Sequence, residues 1–354
     1  MNPFVERLSR SAAGFFDVVT VYLGDRLGYY RALADVGSLT SVELAERTAT
    51  AERYAREWLE QQASTGILEV ARPSADPLAR RYRLPAAHAT VLLDRDSLDY
   101  LAPMPRSLAR AVRFLPAVLE AFRTGRGVEE GAYAEADLDE LAEDNRPAFL
   151  IRLGREWLPA IPGVHARLGA EPPAHVADIG CGTGWSAIAM AQAYPKARID
   201  GLDLDETRIA RALRNAADAG LSGRVRFEAR DAARLPDGGP YDLVTAFETI
   251  HDMARPVDVL RAVRGALRED GAMLIADERV ADTFTAPAAE IEQLVYGWSV
   301  LSCLPEGMVG PDPAGTGAVM RPATLRRYAE EAGFRSFEVL PIDYELWRFY
   351  LLRP

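Results

Sequence analysis

Three glycines at alternate positions, Gly180, Gly182 and Gly184, separate an apolar run from a helix-like run in Val176-Ala-Asp-Ile-Gly-Cys-Gly-Thr-Gly-Trp185. Glycines let a backbone approach a ligand closely and take dihedrals closed to other residues. Such a turn binds the extended part of a ligand where a strand ends. Two details narrow the ligand. The nicotinamide fingerprint G-x-G-x-x-G sets its third glycine three residues after the second, but Gly184 follows Gly182 by two and Trp185 fills the required position. Asp178 also stands two residues before Gly180, and a carboxylate there repels a pyrophosphate. Cys181, inside the turn, reads as a small filler and not as a nucleophile.

Further acids recur at the ends of later strand-like segments. Asp203 lies 25 residues after Asp178, within Gly201-Leu-Asp-Leu-Asp205. An ionised carboxylate only accepts hydrogen bonds, so Asp203 suits the two hydroxyls of a ribose. Asp231 closes the next segment, Phe227-Glu-Ala-Arg-Asp231. The bland readings are a helix cap for Asp203 and a turn residue for Asp231. His251 follows the next apolar run, Tyr241-Asp-Leu-Val-Thr-Ala-Phe247. Histidine titrates near neutrality and can take the proton of a hydroxyl acceptor. Its bland readings are capping the next helix or packing under a ligand. Asp252 and Glu278 are the candidates to orient its ring.

These residues need a scaffold. Strands are expected at His175–Ile179, Arg198–Leu202, Val225–Ala229, Tyr241–Phe247 and Ala272–Ala276, with helices at Ala187–Tyr194, Glu206–Ala219 and Val257–Leu267. Short strands spaced by amphipathic helices imply a parallel sheet with right-handed crossovers. The tail adds a helix, Pro322–Ala332, and two strands, Phe337–Leu340 and Leu346–Leu352, that pair antiparallel at the sheet edge. The fold class is therefore α/β, Rossmann-like, mostly parallel with an antiparallel last strand. Upstream, Thr40 and Glu43 fit a capping box, Glu52–Ala63 reads as a second helix, and Ile67–Ala71 with Arg81–Leu84 reads as a hairpin. Helix, turn, helix and hairpin together form a winged helix. Three regions result: 1–100, winged-helix-like; 101–165, a helical linker and possible cover; and 166–354, the sheet domain.

Asp178-Ile-Gly-Cys-Gly-Thr-Gly184 resembles the first motif of class I S-adenosylmethionine-dependent methyltransferases. The resemblance implies S-adenosylmethionine as cofactor and S-adenosylhomocysteine as product. It implies cofactor contacts from Asp178, Gly180, Cys181, Gly182, Gly184, Asp203, Leu204, Asp231, Ala232 and Phe247, with Asp231 accepting from the adenine amino group. Ile250-His-Asp-Met253 is similar to the His-Asp-Trp stretch of plant-type small-molecule O-methyltransferases, whose histidine is the base; Met253 stands where those enzymes carry Trp. Nearly the whole chain resembles bacterial two-domain methyltransferases with a winged-helix module, which implies a homodimer through residues 1–100. The implied reaction is methylation of a small organic molecule, a hydroxyl first of all. N-, C- or S-methylation, a cofactor-binding regulator, and non-methylating chemistry stay open.

Bulk properties exclude other classes. The 354 residues are 49% hydrophobic and carry a net charge of −11, which disfavours a nucleic-acid partner. Residues 1–100 hold 12 arginines against 14 acids, a net of −2. The would-be recognition helix mixes Arg53 and Arg56 with Glu52, Glu57 and Glu60, and Tyr54, Trp58 and Leu59 there suggest packing. No run approaches the roughly 20 apolar residues of a membrane helix. Two cysteines, Cys181 and Cys303, and no export signal point to a reducing cytoplasm. The other histidines, His88, His165 and His175, lack metal-ligand spacing, so no metal is expected. Trp298 and Met308, with Phe114, Phe122, Tyr133, Phe149 and Trp157, are expected either to line an apolar acceptor pocket or to pack as core.

Overall fold

Short apolar segments between amphipathic helices can bury both faces only by lying side by side under those helices. The computed structural model, which describes residues 2–128 and 144–354, has that arrangement. Tyr133 lies outside the described residues. The chain divides into two units, Met1–Val112 and Arg113–Pro354.

In the first unit, α1 (Pro3–Arg26) stops before Gly28, whose φ of 70° breaks the helix ahead of α2 (Tyr29–Val36). Helix α3 (Ser41–Thr48) starts in the expected capping box, with Thr40 and Glu43 each accepting the other's backbone N–H. Helix α4 (Glu52–Ser64) follows, then the antiparallel wing of β1 (Glu69–Arg72) and β2 (Arg81–Arg83). Leu39 bridges to Tyr82 on the other side of β2. The core gathers Tyr29, Tyr30, Leu33, Leu44, Trp58, Leu59 and Tyr82. This is a winged helix, continued by α5 (Ala86–Leu93) and α6 (Pro103–Arg113). Trp58 and Leu59 of α4 are buried as expected, but Tyr54 is 80% exposed and takes no part in the core.

The second unit opens with α7 (Leu115–Thr124). A π-helical stretch, Phe149–Trp157, and α8 (Pro162–Gly169) lead into the sheet. Its strands are β3 (His175–Ile179), β4 (Arg198–Asp203), β5 (Val225–Ala229), β6 (Tyr241–Phe247), β7 (Leu267–Glu278), β8 (Ser336–Val339) and β9 (Trp347–Arg353). The connecting helices are α9 (Trp185–Ala193), α10 (Glu206–Asp218), α11 (Pro256–Ala266), α12 (Glu290–Trp298) and α13 (Pro322–Ala332). The order across the sheet is β5-β4-β3-β6-β7-β9-β8. Strands β3 to β7 are parallel, and β9 runs antiparallel to both β7 and β8.

Alternate residues of each strand feed opposite faces. Val176, Leu243 and Leu274 join one apolar cluster, while Ala177, Val244 and Ile275 join the other. Each large side chain so buried contributes about 1.5–3 kcal/mol. The expected pocket aromatics Phe149 and Trp157 belong to the first cluster, where Trp157 meets Trp347 at 5.3 Å and Phe349 at 5.1 Å. They are core, not pocket lining. Phe122 is 66% exposed, and Trp298 and Met308 are half-buried.

The strand order sets the site. From β3 the chain moves outward through β4 and β5, then returns to β6 on the other side of β3. Ligands of open α/β sheets bind at the carboxyl ends of the strands where the order reverses. Here that crevice lies between the loops after β3 and β6.

Candidate active site

The loop after β3 is held open by its glycines. Gly180, Gly182 and Gly184 have φ of 63°, 54° and 85°, which disfavour side chains. A Cβ on Gly180 would lie 2.2 Å from Thr249 Oγ1, and one on Gly184 would lie 2.6 Å from Phe227. The β3 loop thus presses directly on the β6 loop. A Cβ on Gly182 would meet nothing within 4 Å; its face is open to a ligand. Buried Asn215 on α10 donates to Thr183 O at 2.9 Å and fixes the turn.

Asp178 and Asp203 anchor this loop from below and beside. Asp178 is sealed from water and accepts from Ser186 Oγ at 2.5 Å and Thr245 Oγ1 at 2.6 Å. Burial lifts its pKa to about 6 against those two hydrogen bonds, and the charge of Asp203 adds to the rise. Asp203 accepts from Gly182 N at 2.9 Å and Asp205 N at 3.0 Å. A carboxylate retains acceptor capacity beyond two bonds. Asp203 is not a helix cap, because Asp205 caps α10 through Thr207 N and Arg208 N. Arg230 N donates to Asp203 O, so the β5 loop is tied to the end of β4. In that loop Asp231 is exposed and closes a turn by accepting from Ala233 N at 2.9 Å. Leu204 is 73% exposed, while Cys181, Ala232 and Phe247 are buried. Phe247 packs on Phe149 at 5.1 Å.

Across the crevice, His251 is 2% exposed. Its Nδ1 lies 2.7 Å from Asp277 Oδ1, and Asp277 also accepts from Glu278 N at 3.0 Å. Nδ1–H therefore donates to a buried carboxylate, and Nε2 is the ring atom that gains or loses the second proton. The orienting residue is Asp277 and not Glu278. Asp252 Oδ1 stands 3.1 Å from Nε2 but makes no hydrogen bond. Burial works against a charged ring here, yet the carboxylates of Asp252 and Asp277 outweigh it and raise the His251 pKa well above 6.5. His251 caps no helix: Arg255 occupies the N-cap of α11.

Two more carboxyls stand behind this pair. Glu248 has φ 50°, uncommon for a residue with a side chain. It accepts from Trp347 Nε1 at 2.6 Å and from Asn145 Nδ2. Burial raises its pKa, against the effect of those bonds. Burial, then the charge of Glu248, pushes Glu278 up to about 9. Sequence reasoning missed Asp277, Glu248 and Cys303, the last of which lies close to His251 and Asp252. The signal available for Asp277 and Glu248 was their place at the ends of β7 and β6. Cys303 sits in a π-helical turn, Ser299–Cys303, which no sequence pattern marked.

Comparison with known proteins agrees with this layout. Residues 171–309 match a family described as a methyltransferase domain, and residues 17–94 match one described as an Rv2258c-like winged HTH domain. Trans-aconitate 2-methyltransferase of Streptomyces avermitilis is 33% identical over 116 residues, covering 33% of this chain. The match spans only about two-fifths, 42%, of that relative's length. Acetylserotonin O-methyltransferase of Mus musculus molossinus is 29% identical over 280 residues, 75% of this chain and 70% of the relative. The solved structure of human N-acetylserotonin methyltransferase in complex with SAM superposes with a TM-score of 0.73 at 18% identity, covering 100% of this chain and 98% of that one.

Proposed function

We propose that this chain, a methyltransferase domain behind a winged-helix domain, transfers the methyl group of S-adenosylmethionine to a hydroxyl of a small organic acceptor, with His251 as general base. The observation that carries the reading is the buried His251–Asp277 pair, whose histidine lies in the loop that touches the Gly180 turn. The O-methylation named for the acetylserotonin relative supports the acceptor class.

The residues present fit the cofactor. The open face of Gly182 leaves room for it, Asp203 keeps acceptor capacity for a ribose, and Asp178 supplies negative charge beneath the turn. Gly180, Cys181, Gly184 and Leu204 form the rest of the cradle, while Asp231, Ala232 and Phe247 stand at the ends of the flanking strands. When bound, the cofactor supplies an electrophilic methyl group on a sulfonium that departs as a neutral thioether. The chain's task is to place the acceptor oxygen in line, about 3–3.5 Å from that carbon, and to remove its proton. His251 Nε2 takes the proton as the oxygen attacks. Asp277 holds the ring through Nδ1 and offsets the imidazolium charge that forms.

The finer readings rest on separate features. Helix α1 exposes Phe4, Leu8, Phe15, Phe16 and Leu23, with Phe16 61% exposed. Such a run on one helix suits an apolar interface and supports a homodimer through the first unit. Both cysteines are free thiols, which fits a cytoplasmic protein. Among the described residues no helix is long and apolar enough to cross a membrane.

Calorimetry tests the reading. S-adenosylhomocysteine binds the wild type, and Asp203→Ala weakens it about 10- to 100-fold, as loss of hydrogen bonds to a charged group implies. A protein that binds neither S-adenosylmethionine nor S-adenosylhomocysteine has another function.

A further inference from the structure

The donor atoms around His251 Nε2 are a nitrogen, an oxygen and a sulfur. The ring nitrogen of His251, a carboxylate oxygen of Asp252 and Sγ of Cys303 all lie within 4.8 Å of one another. That mix is the set preferred by zinc and its neighbours, which bind imidazole, thiolate and carboxylate together at about 2.0–2.3 Å. Three further observations point to an ion and not to a chance cluster. Asp277 accepts from Nδ1, which leaves Nε2 as the ring atom that could bind an ion once its proton is lost, in the carboxylate–histidine arrangement that supports metal-bound imidazoles. Asp252 Oδ1 is shielded from solvent and stands 3.1 Å from Nε2, close enough for one ion to bridge the two. Four carboxyls, from Glu248, Asp252, Asp277 and Glu278, crowd this ring.

We propose that His251, Asp252 and Cys303 form a three-ligand site for a divalent transition ion of zinc's kind, and that an ion held there silences the methyl transfer. Loading displaces the ring proton from Nε2 and the thiol proton from Cys303 to solvent, and the ion takes one lone pair from each of the three side chains. A lone pair bound to an ion cannot take a proton from an acceptor. The fourth position of such a site faces water. The silencing half rests on the general-base reading of His251; the binding half does not.

Chelator-treated full-length protein, titrated with Co2+ and then Zn2+, tests both halves. One Co2+ per chain binds with a thiolate-to-cobalt charge-transfer band, and Zn2+ displaces it. Cys303→Ala and His251→Ala each abolish the band, while Asp252→Asn weakens zinc at least about tenfold. Cys303→Ser, closer in shape, serves as a second variant, and near-ultraviolet circular dichroism verifies that each variant is folded. No band, or a band that survives in Cys303→Ala, overturns the site. Zinc bound at the site with undiminished methyl transfer overturns the silencing and counts against His251 as the base, while leaving the site in place. Loss of turnover that follows zinc occupancy and returns with chelator supports both halves.

Discussion

In the first unit, Arg53, Arg56, Arg80, Arg81 and Arg83 face Glu57, Glu52, Glu60, Glu43 and Glu69. In the second, Asp178, His251 and Asp277 are sealed from water: Asp178 accepts from two hydroxyls, and His251 and Asp277 pair with each other beside the backbone N–H of Glu278 and the carboxylate of Asp252. Pairs at a surface are worth about 0–1 kcal/mol each, so the first set covers the wing without deciding its fold. Taking a charge out of water costs far more unless it is paired. The second set is therefore retained at a cost to stability, and that cost coincides with the site proposed for the chemistry. The same contrast explains why the α4 helix makes a poor reader of bases: glutamates engage its arginines.

Substitutions can break or sharpen this contrast. His251→Ala should have the largest effect, lowering turnover on a hydroxyl acceptor about 100- to 10,000-fold while S-adenosylhomocysteine still binds by calorimetry; full turnover would move the base elsewhere. Asp277→Asn leaves the ring in place but weakens its support, so kcat should fall about 10- to 100-fold with the acceptor KM near that of the wild type. A KM that rises while kcat holds would make Asp277 a substrate contact. Asp178 gives a pH effect. Burial raises its carboxyl to about 6, above its unfolded value, so its contribution to stability is full at low pH and is lost as pH rises through about 6. A cationic cofactor favours the ionised form. Its affinity should therefore climb with pH through about 6, and Asp178→Asn should flatten that climb. An unchanged slope in the variant would assign the titration to another group. The smallest effect on the site should come from the first unit: Phe15→Ser with Phe16→Ser on α1 should convert the proposed dimer to monomer in sedimentation yet leave cofactor affinity within about twofold, because α1 holds none of the proposed cofactor contacts.

The sequence made the scaffold legible because glycines, capping residues and apolar runs act locally. The ends of β3, β5, β6 and α13 fall where their patterns end. The positions of Asp203 and Asp231 followed for the same reason, Asp203 closing β4 and Asp231 being the first acid past β5. The partner of His251 was not. Ala272 to Ala276 are apolar without alternation and buried on both faces, so no period reveals whether residue 277 or 278 turns toward the β6 loop. The register Phe247↔Ala276 places Asp277, near the end of β7, level with the start of the β6 loop. Cys303 follows His251 by 52 residues, and its approach depends on a π-helical turn set by packing, not by composition. Phe149 and Trp157 carried the same ambiguity: an aromatic spaced for a helix fits a core or a pocket equally, and only the placement of Trp347 and Phe349 settles which.

The strand order has a consequence for how such a protein can change. The residues proposed to hold the donor sit mainly on β3, β4 and β5, to one side of the reversal, while Glu248, His251, Asp277 and Trp347 sit on β6, β7 and β9, to the other. The two halves meet along the single β3–β6 border and where Gly180 abuts Thr249. Mutations in the proposed acceptor half that spare Thr245, Phe247 and Thr249 can therefore accumulate without disturbing the proposed grip on the donor. A lineage, or an engineer, can trade one acceptor for another while the reagent stays fixed.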